Sequence, residues 1–111
     1  MEILHTDNNG VTTSHKNDAN TVPGHFYAIE KDGTVLGNIA FQNGPVGEVG
    51  VNGITSEALL AIIIHRTKIL NEMFPTSYNK LALHSLCGAL TAFEARTKDR
   101  VKRQVEGLNQ L

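Results

Sequence analysis

A chain of 111 residues carries one small core, and its 41% apolar and 19% charged residues suit a globular fold rather than disorder. A net charge of −1 supplies no bulk field toward DNA, RNA or an anionic membrane, so any anion site must be a local cluster. The single cysteine, Cys87, excludes an internal disulfide. The opening MEILHTDNNG lacks the basic and apolar regions of a secretory signal, and the longest apolar run, ALLAIII, is too short to span a bilayer. A soluble, intracellular protein is expected.

The chain reads as a single domain, 1–111, with a β-rich part over 1–52 and a helical hairpin over 53–107. Eight of the ten glycines and two of the three prolines lie at or before Gly53. Residues 1–16 predict a hairpin around DNNG, and residues 17–24 are polar and read as a loop. In HFYAIEKDGTVLGNIAFQNG two apolar runs flank Lys31-Asp32-Gly33, and Asp-Gly is a strong hairpin signal. GPVGEVGVNG carries Val46, Val49 and Val51 in a glycine-rich frame and predicts a short strand.

Two helices follow. Thr55 or Ser56 caps the first, Glu57 stands in its first turn where the macrodipole favours a negative charge, and it runs to about Met73. Pro75 ends it, Thr76 or Ser77 caps the second, and that helix runs to about Glu106 and stops at Gly107. The expected fold class is α+β: an N-terminal antiparallel β-sheet, then a C-terminal antiparallel helical hairpin.

Leu59, Leu60, Ile62, Ile63, Ile64, Ile69 and Leu70 cover most of the first helix, which must therefore be buried on more than one side. One small sheet and one partner helix give too little cover, so oligomerisation is expected. On the second helix Leu83, Leu86, Leu90, Phe93 and Val101 form the packing stripe, with Cys87 read as an inert core thiol within it. A second lane of small residues, Ala82, Ser85, Ala89 and Ala92, leads to Arg96, Arg100 and Arg103.

Those three arginines stand at i, i+4 and i+7, on one helix face, and the guanidinium fork matches phosphate geometry. Composition alone favours a solvated helix end, with Glu94, Asp99 and Glu106 as ion partners. Symmetric copies converging on one ligand shift the balance toward a phosphate site. Asn79, in the first turn of the second helix, reads either as a local cap or as a donor to a base or ribose. Phe74 and Tyr78 flank that corner as core residues or stacking platforms. The five histidines show no metal-ligand spacing, His65 reads as an interface residue, and no nucleophile, carboxylate dyad or phosphate loop is evident.

The ordered pattern NGITSEALLAIIIHR, then FPTSYNKLALHSLCGALTAFEARTKDRVKRQVEG, resembles a phage helical-hairpin family. Its frame is N-G-x-T-x-E-A-L-L, an arginine met here by Arg66, N-x-x-A-L-x-x-L-x-x-A-L from Asn79, and R-T-x-x-R-x-x-R-x-V-E-G from Arg96. With FQNGPVGEVGVNG ahead of it, the pattern over about 41–107 resembles the first Thoeris anti-defence family, related through the hairpin to anti-CBASS cyclic-oligonucleotide sponges. The resemblance implies a non-enzymatic sponge in the cytoplasm of an infected bacterium. It would hold and release intact the glyco-cyclic ADP-ribose messengers made by TIR proteins.

It also implies CBASS cyclic trinucleotides as further ligands and a dimer-based homo-oligomer, a hexamer, with no cofactor and no metal. Carried over, Asn79, Arg96 and Arg100 match the pocket asparagine and phosphate-binding arginines, with Arg103 on the same face. Asn43 and Gly44 match the pocket wall. Ile69 stands where relatives carry a stacking Phe, which passes base stacking to Phe74 or Tyr78. Rival readings are a sponge for CBASS cyclic di- or trinucleotides alone, a phage structural or interaction module without a small ligand, and a nucleotide-processing enzyme.

Overall fold

The computed structural model describes residues 1–103. Its element order is β1 (Glu2–Thr6), β2 (Thr12–His15), β3 (Phe26–Lys31), β4 (Thr34–Ala40), α1 (Val46–Val49), α2 (Ser56–Met73) and α3 (Ser77–Lys102). The fold class is α+β, a four-stranded antiparallel sheet in the order β1-β2-β3-β4 followed by the helices. The described residues form two compact units, Met1–Gly44 with Val49–Ile54, and Pro45–Glu48 with residues 55–103.

Both sheet hairpins form where the turn chemistry places them. Asp32 and Gly33 take φ of 49° and 81°, the two positive angles of a tight hairpin turn whose twist matches the flanking strands. In the β1–β2 turn the Asp7 carboxylate accepts the backbone N–H of Asn9 at 2.8 Å and of Val11 at 3.0 Å. The register aligns Glu2, His15, Tyr27 and Ile39 across the four strands, hence on one face. There the rings of His15 and Tyr27 lie 5.2 Å apart, and Tyr27 meets Phe41 edge-on at 5.7 Å.

The buried His15 is fully satisfied. Gly24 N–H donates to its Nε2 at 2.8 Å, so that nitrogen holds a lone pair and Nδ1 carries the proton, donated to Glu2 Oε1 at 2.9 Å. The loop between β2 and β3 is thereby tied to the sheet through one imidazole.

The segment expected as a strand after β4 is instead one helical turn, α1. Pro45 has φ preset for a first turn, and Glu48 N–H bonds the Pro45 carbonyl at 3.0 Å. Its valines have no strand to pair with: Val46, Val49 and Val51 are all exposed. Only Ile54 returns to the sheet, in a parallel bridge to Phe41.

Thr55 and Thr76 cap the two long helices, their hydroxyls accepting Ala58 N–H at 3.1 Å and Asn79 N–H at 3.0 Å. The three-residue link 74–76 makes α2 and α3 antiparallel neighbours. Leu59, Leu60, Leu70, Leu83, Leu86 and Leu90 are half-buried and Ile64 is buried, the seam that the spacing predicts. The stripe fails beyond Leu90. Phe93, opposite the first turn of α2, is 40% exposed, and Val101 is 57% exposed because α3 is eight residues longer than α2, 26 against 18. Its last turns outrun their partner by about 12 Å. Cys87 is also exposed, not a core thiol: it falls one position past the half-buried Leu86, on the flank of the stripe. The expected helix end at Glu106 and Gly107 lies outside the described residues, and α3 is followed to Lys102 with Arg103 as its cap.

Candidate functional site

The arginine cluster occupies the projecting end of α3. Arg96, Arg100 and Arg103 share a face there, as their spacing requires. They differ in what they already hold. Arg103 Nε donates to Asp99 Oδ2 at 3.0 Å, the i,i+4 ion pair of a solvated helix end. Arg100 is half-buried and also engaged. Arg96 is exposed and forms no hydrogen bond or ion pair with any described residue. Its five donors remain available to an anion. Arg66, exposed on α2, is in the same condition.

The other end of the hairpin is built around Asn79. Its backbone N–H bonds the Thr76 hydroxyl, and its Nδ2 donates to the Phe74 carbonyl at 3.2 Å. Asn71 Oδ1 accepts Thr76 N–H at 3.2 Å, so two amide side chains close the corner. Asn79 therefore has the local capping role, with its Oδ1 still free to accept. Beside it Phe74 is 66% exposed and Tyr78 83% exposed, so neither is core, and Ile69 is exposed one turn earlier on α2.

Asn79 and Arg96 are seventeen positions apart on one straight element, about 26 Å at 1.5 Å per residue. A single hairpin does not bring them together around one small ligand. The small lane between them runs along an open surface, with Ala82, Ser85 and Ala92 exposed and Ala89 half-buried.

Asn43 and Gly44 follow β4. Both backbone groups of Asn43 are taken by Asn52, whereas its side-chain amide bonds no described residue. Sequence reasoning passed over the residues that fix this loop, Gln42 and Asn52; the signal was an amide residue at each edge of a glycine-rich segment. A shallow depression on the sheet, lined by Lys16, Phe26, Ala28, Asn38 and Ala40 among others, contains none of the candidates. Among the described residues no group of His, Cys, Asp or Glu has the geometry to hold a metal ion, and no helix is long and apolar enough to cross a membrane.

With the open arginine end and the capped corner in place, comparison with known proteins becomes informative. A curated Bacillus phage SBSphiJ7 protein named Thoeris anti-defense 1 is 38% identical over 76 residues, which are 68% of this chain and 54% of that protein. The chain resembles the first Thoeris anti-defence family of phage proteins. It spans about half the length of the curated relative it matches. No protein-family model matches the chain.

Proposed function

We propose that this protein is a phage anti-defence sponge. It binds the glyco-cyclic ADP-ribose messengers of bacterial TIR proteins in the host cytoplasm and withholds them from Thoeris immunity without degrading them. The observation that carries the reading is the similarity to Thoeris anti-defense 1, over a stretch equal to two thirds of this chain. The open Arg96 beside Arg100, on a helix end that outruns its partner, supplies donors suited to a diphosphate. Because Asn79 lies about 26 Å from that end, a site using both draws them from different copies of the chain, the hairpins running in opposite directions. The exposed Ile62, Ile63 and small-residue lane are the surfaces on which such copies would meet.

The test is retention. The protein is incubated with glyco-cyclic ADP-ribose and, separately, with CBASS cyclic trinucleotides; free ligand is removed, the protein is heat-denatured, and the released material is identified. Intact cyclic ADP-ribose supports the sponge, and a converted product identifies an enzyme. Retention of the trinucleotide alone moves the ligand to CBASS signalling, and retention of neither ends both sponge readings. The double variant Arg96→Ala with Arg100→Ala should keep its far-UV circular dichroism and lose at least about a hundredfold in affinity, since a charge-assisted bond is worth about 1.5–3 kcal/mol. Unchanged affinity by calorimetry would remove the arginines from the site.

A further inference from the structure

The dipeptide Asn-Gly occurs three times, at Asn9-Gly10, Asn43-Gly44 and Asn52-Gly53. In such a pair the glycine's backbone nitrogen can attack the side-chain carbonyl carbon of the asparagine, because no Cβ on the glycine obstructs the approach. As sequence the three pairs are equivalent. The fold separates them.

Asn52 has both polar atoms of its side chain engaged: Oδ1 accepts Asn43 N–H at 2.8 Å, and Nδ2 donates to the Asn43 carbonyl at 2.7 Å. Its glycine is hemmed in as well, since a Cβ on Gly53 would lie 2.5–2.7 Å from the Phe41 carbonyl group and Gln42 nitrogen. At Asn9 the attacking nitrogen is occupied, with Gly10 N–H donating to the Asp7 carbonyl at 3.1 Å. The Asp7 carboxylate, bonded to Asn9 N–H at 2.8 Å and Val11 N–H at 3.0 Å, also opposes the negative charge that the Gly10 nitrogen takes on when it gives up its proton. Asn43 has neither protection. It is exposed, its side-chain amide bonds no described residue, and Gly44 N–H donates to none.

What restrains Asn43 is the clasp on its backbone. Asn52 holds its N–H and its carbonyl, while Gln42 works from the opposite side. Gln42 Oε1 accepts Asn52 N–H at 2.9 Å, and Nε2 donates to the carbonyls of Gly44 at 3.1 Å and Gly50 at 2.8 Å. Bringing the Gly44 nitrogen onto Asn43 Cγ turns the peptide between them, so the clasp must open first.

We infer that Asn43 is the site at which the folded protein deamidates, and that the clasp of Gln42 and Asn52 governs the rate. The Gly44 nitrogen gives up its proton and bonds to Asn43 Cγ. The Cγ–Nδ2 bond breaks, Nδ2 leaves as ammonia, and a succinimide ring remains. Solvent water then opens the ring at either carbonyl, giving aspartate or isoaspartate. Both products place a carboxylate in the loop after β4. The isoaspartyl product also routes the backbone through Cβ and Cγ and turns the carbonyl that Asn52 held into that carboxylate, so the clasp cannot re-form as it was.

The experiment ages the full chain in mildly alkaline buffer below its melting temperature, beside the same chain in denaturant. Peptide mass spectrometry follows the three pairs, and isoaspartyl methyltransferase labelling tells isoaspartate from aspartate. In the folded chain Asn43 should convert several-fold faster than Asn9 or Asn52, and in denaturant the three rates should converge. Asn52→Ala, with its fold checked by circular dichroism, should speed conversion at Asn43 by about tenfold. Gln42→Ala, which frees the Gly44 carbonyl but leaves the Asn52–Asn43 pair, should speed it less and stands in if Asn52→Ala fails to fold. Conversion at Asn9 or Asn52 ahead of Asn43 overturns the inference, as does an Asn43 that stays intact. An unchanged rate at Asn43 in the folded clasp variants overturns the clasp's part in it.

Discussion

The sheet unit and the helical hairpin are held together by different means. In the sheet unit polar side chains are spent on backbone at three connections: Asp7 closes the β1–β2 turn, His15 ties down the β2–β3 loop, and Gln42 with Asn52 closes the loop after β4. Among the described residues of the hairpin, the side-chain to backbone bonds lie at the caps and the corner, with Thr67 bonding the Ile63 carbonyl besides. Between them 18- and 26-residue helices rely on one apolar seam in which Ile64 is the buried hydrophobic residue. Ile62, two positions earlier and on the opposite face of the helix, is 65% exposed. The difference teaches where each unit is vulnerable. The sheet should fail locally, loop by loop, and the hairpin as a whole.

The largest effect should therefore come from the seam. Ile64→Ala deletes the one well-covered apolar side chain of α2 and should cost about 2–5 kcal/mol, read by chemical denaturation with helical circular dichroism as the probe. A cost under 1 kcal/mol would mean that the half-buried leucines hold the helices without it. His15→Ala comes next. It removes the ring that bonds the Gly24 N–H and lies against Tyr27, and should cost about 1–2 kcal/mol, with exchange accelerating at Gly24 before the strands open. Loss of all strand protection at once would show that the sheet does not fail loop by loop.

What was legible in the sequence follows the same division. Asp32-Gly33, Thr55, Thr76 and the helix end at Met73 were readable because each is local chemistry, decided by residues within one turn of each other. The arginine face was readable for the same reason: i, i+4 and i+7 is geometry internal to one helix. The strand expected at 46–51 was not, since valines among glycines suit a strand or a turn and only Pro45 argued for helix. The exposure of Val101 was hidden too. A stripe's period says which face packs, not where the partner helix ends. The clasp of Gln42 and Asn52 joins residues ten apart, and nothing local announces such a pairing.

A smaller effect separates the corner from the seam. Thr76→Ala removes the acceptor for Asn79 N–H and should cost about 1 kcal/mol, while leaving the Asn79 side chain on the Phe74 carbonyl. If the corner also serves a ligand, affinity should fall with stability; if it is only a cap, calorimetry at a temperature well below melting should show no change.

The smallest effect lies in the first turn of the sheet and is one of pH. The backbone N–H of Val11, and after it that of Asn9, hold the Asp7 carboxyl below the ordinary value of 3.8. A carboxyl depressed in the folded state adds stability that is fully present above its unfolded value and is lost as pH falls through the folded one. Asp7 should thus titrate with a midpoint below 3.8 when its carboxyl carbon is followed by NMR, and the β1–β2 turn should loosen only in that acid window. A midpoint at or above 3.8 would mean that the two N–H bonds are not kept in solution. Asp7→Asn sharpens the test. One oxygen, Oδ1, accepts both N–H groups, so the amide can keep the turn while removing the charge. Protection at Val11 should then survive at neutral pH and cease to depend on acid, which separates the acceptor's part from the charge's.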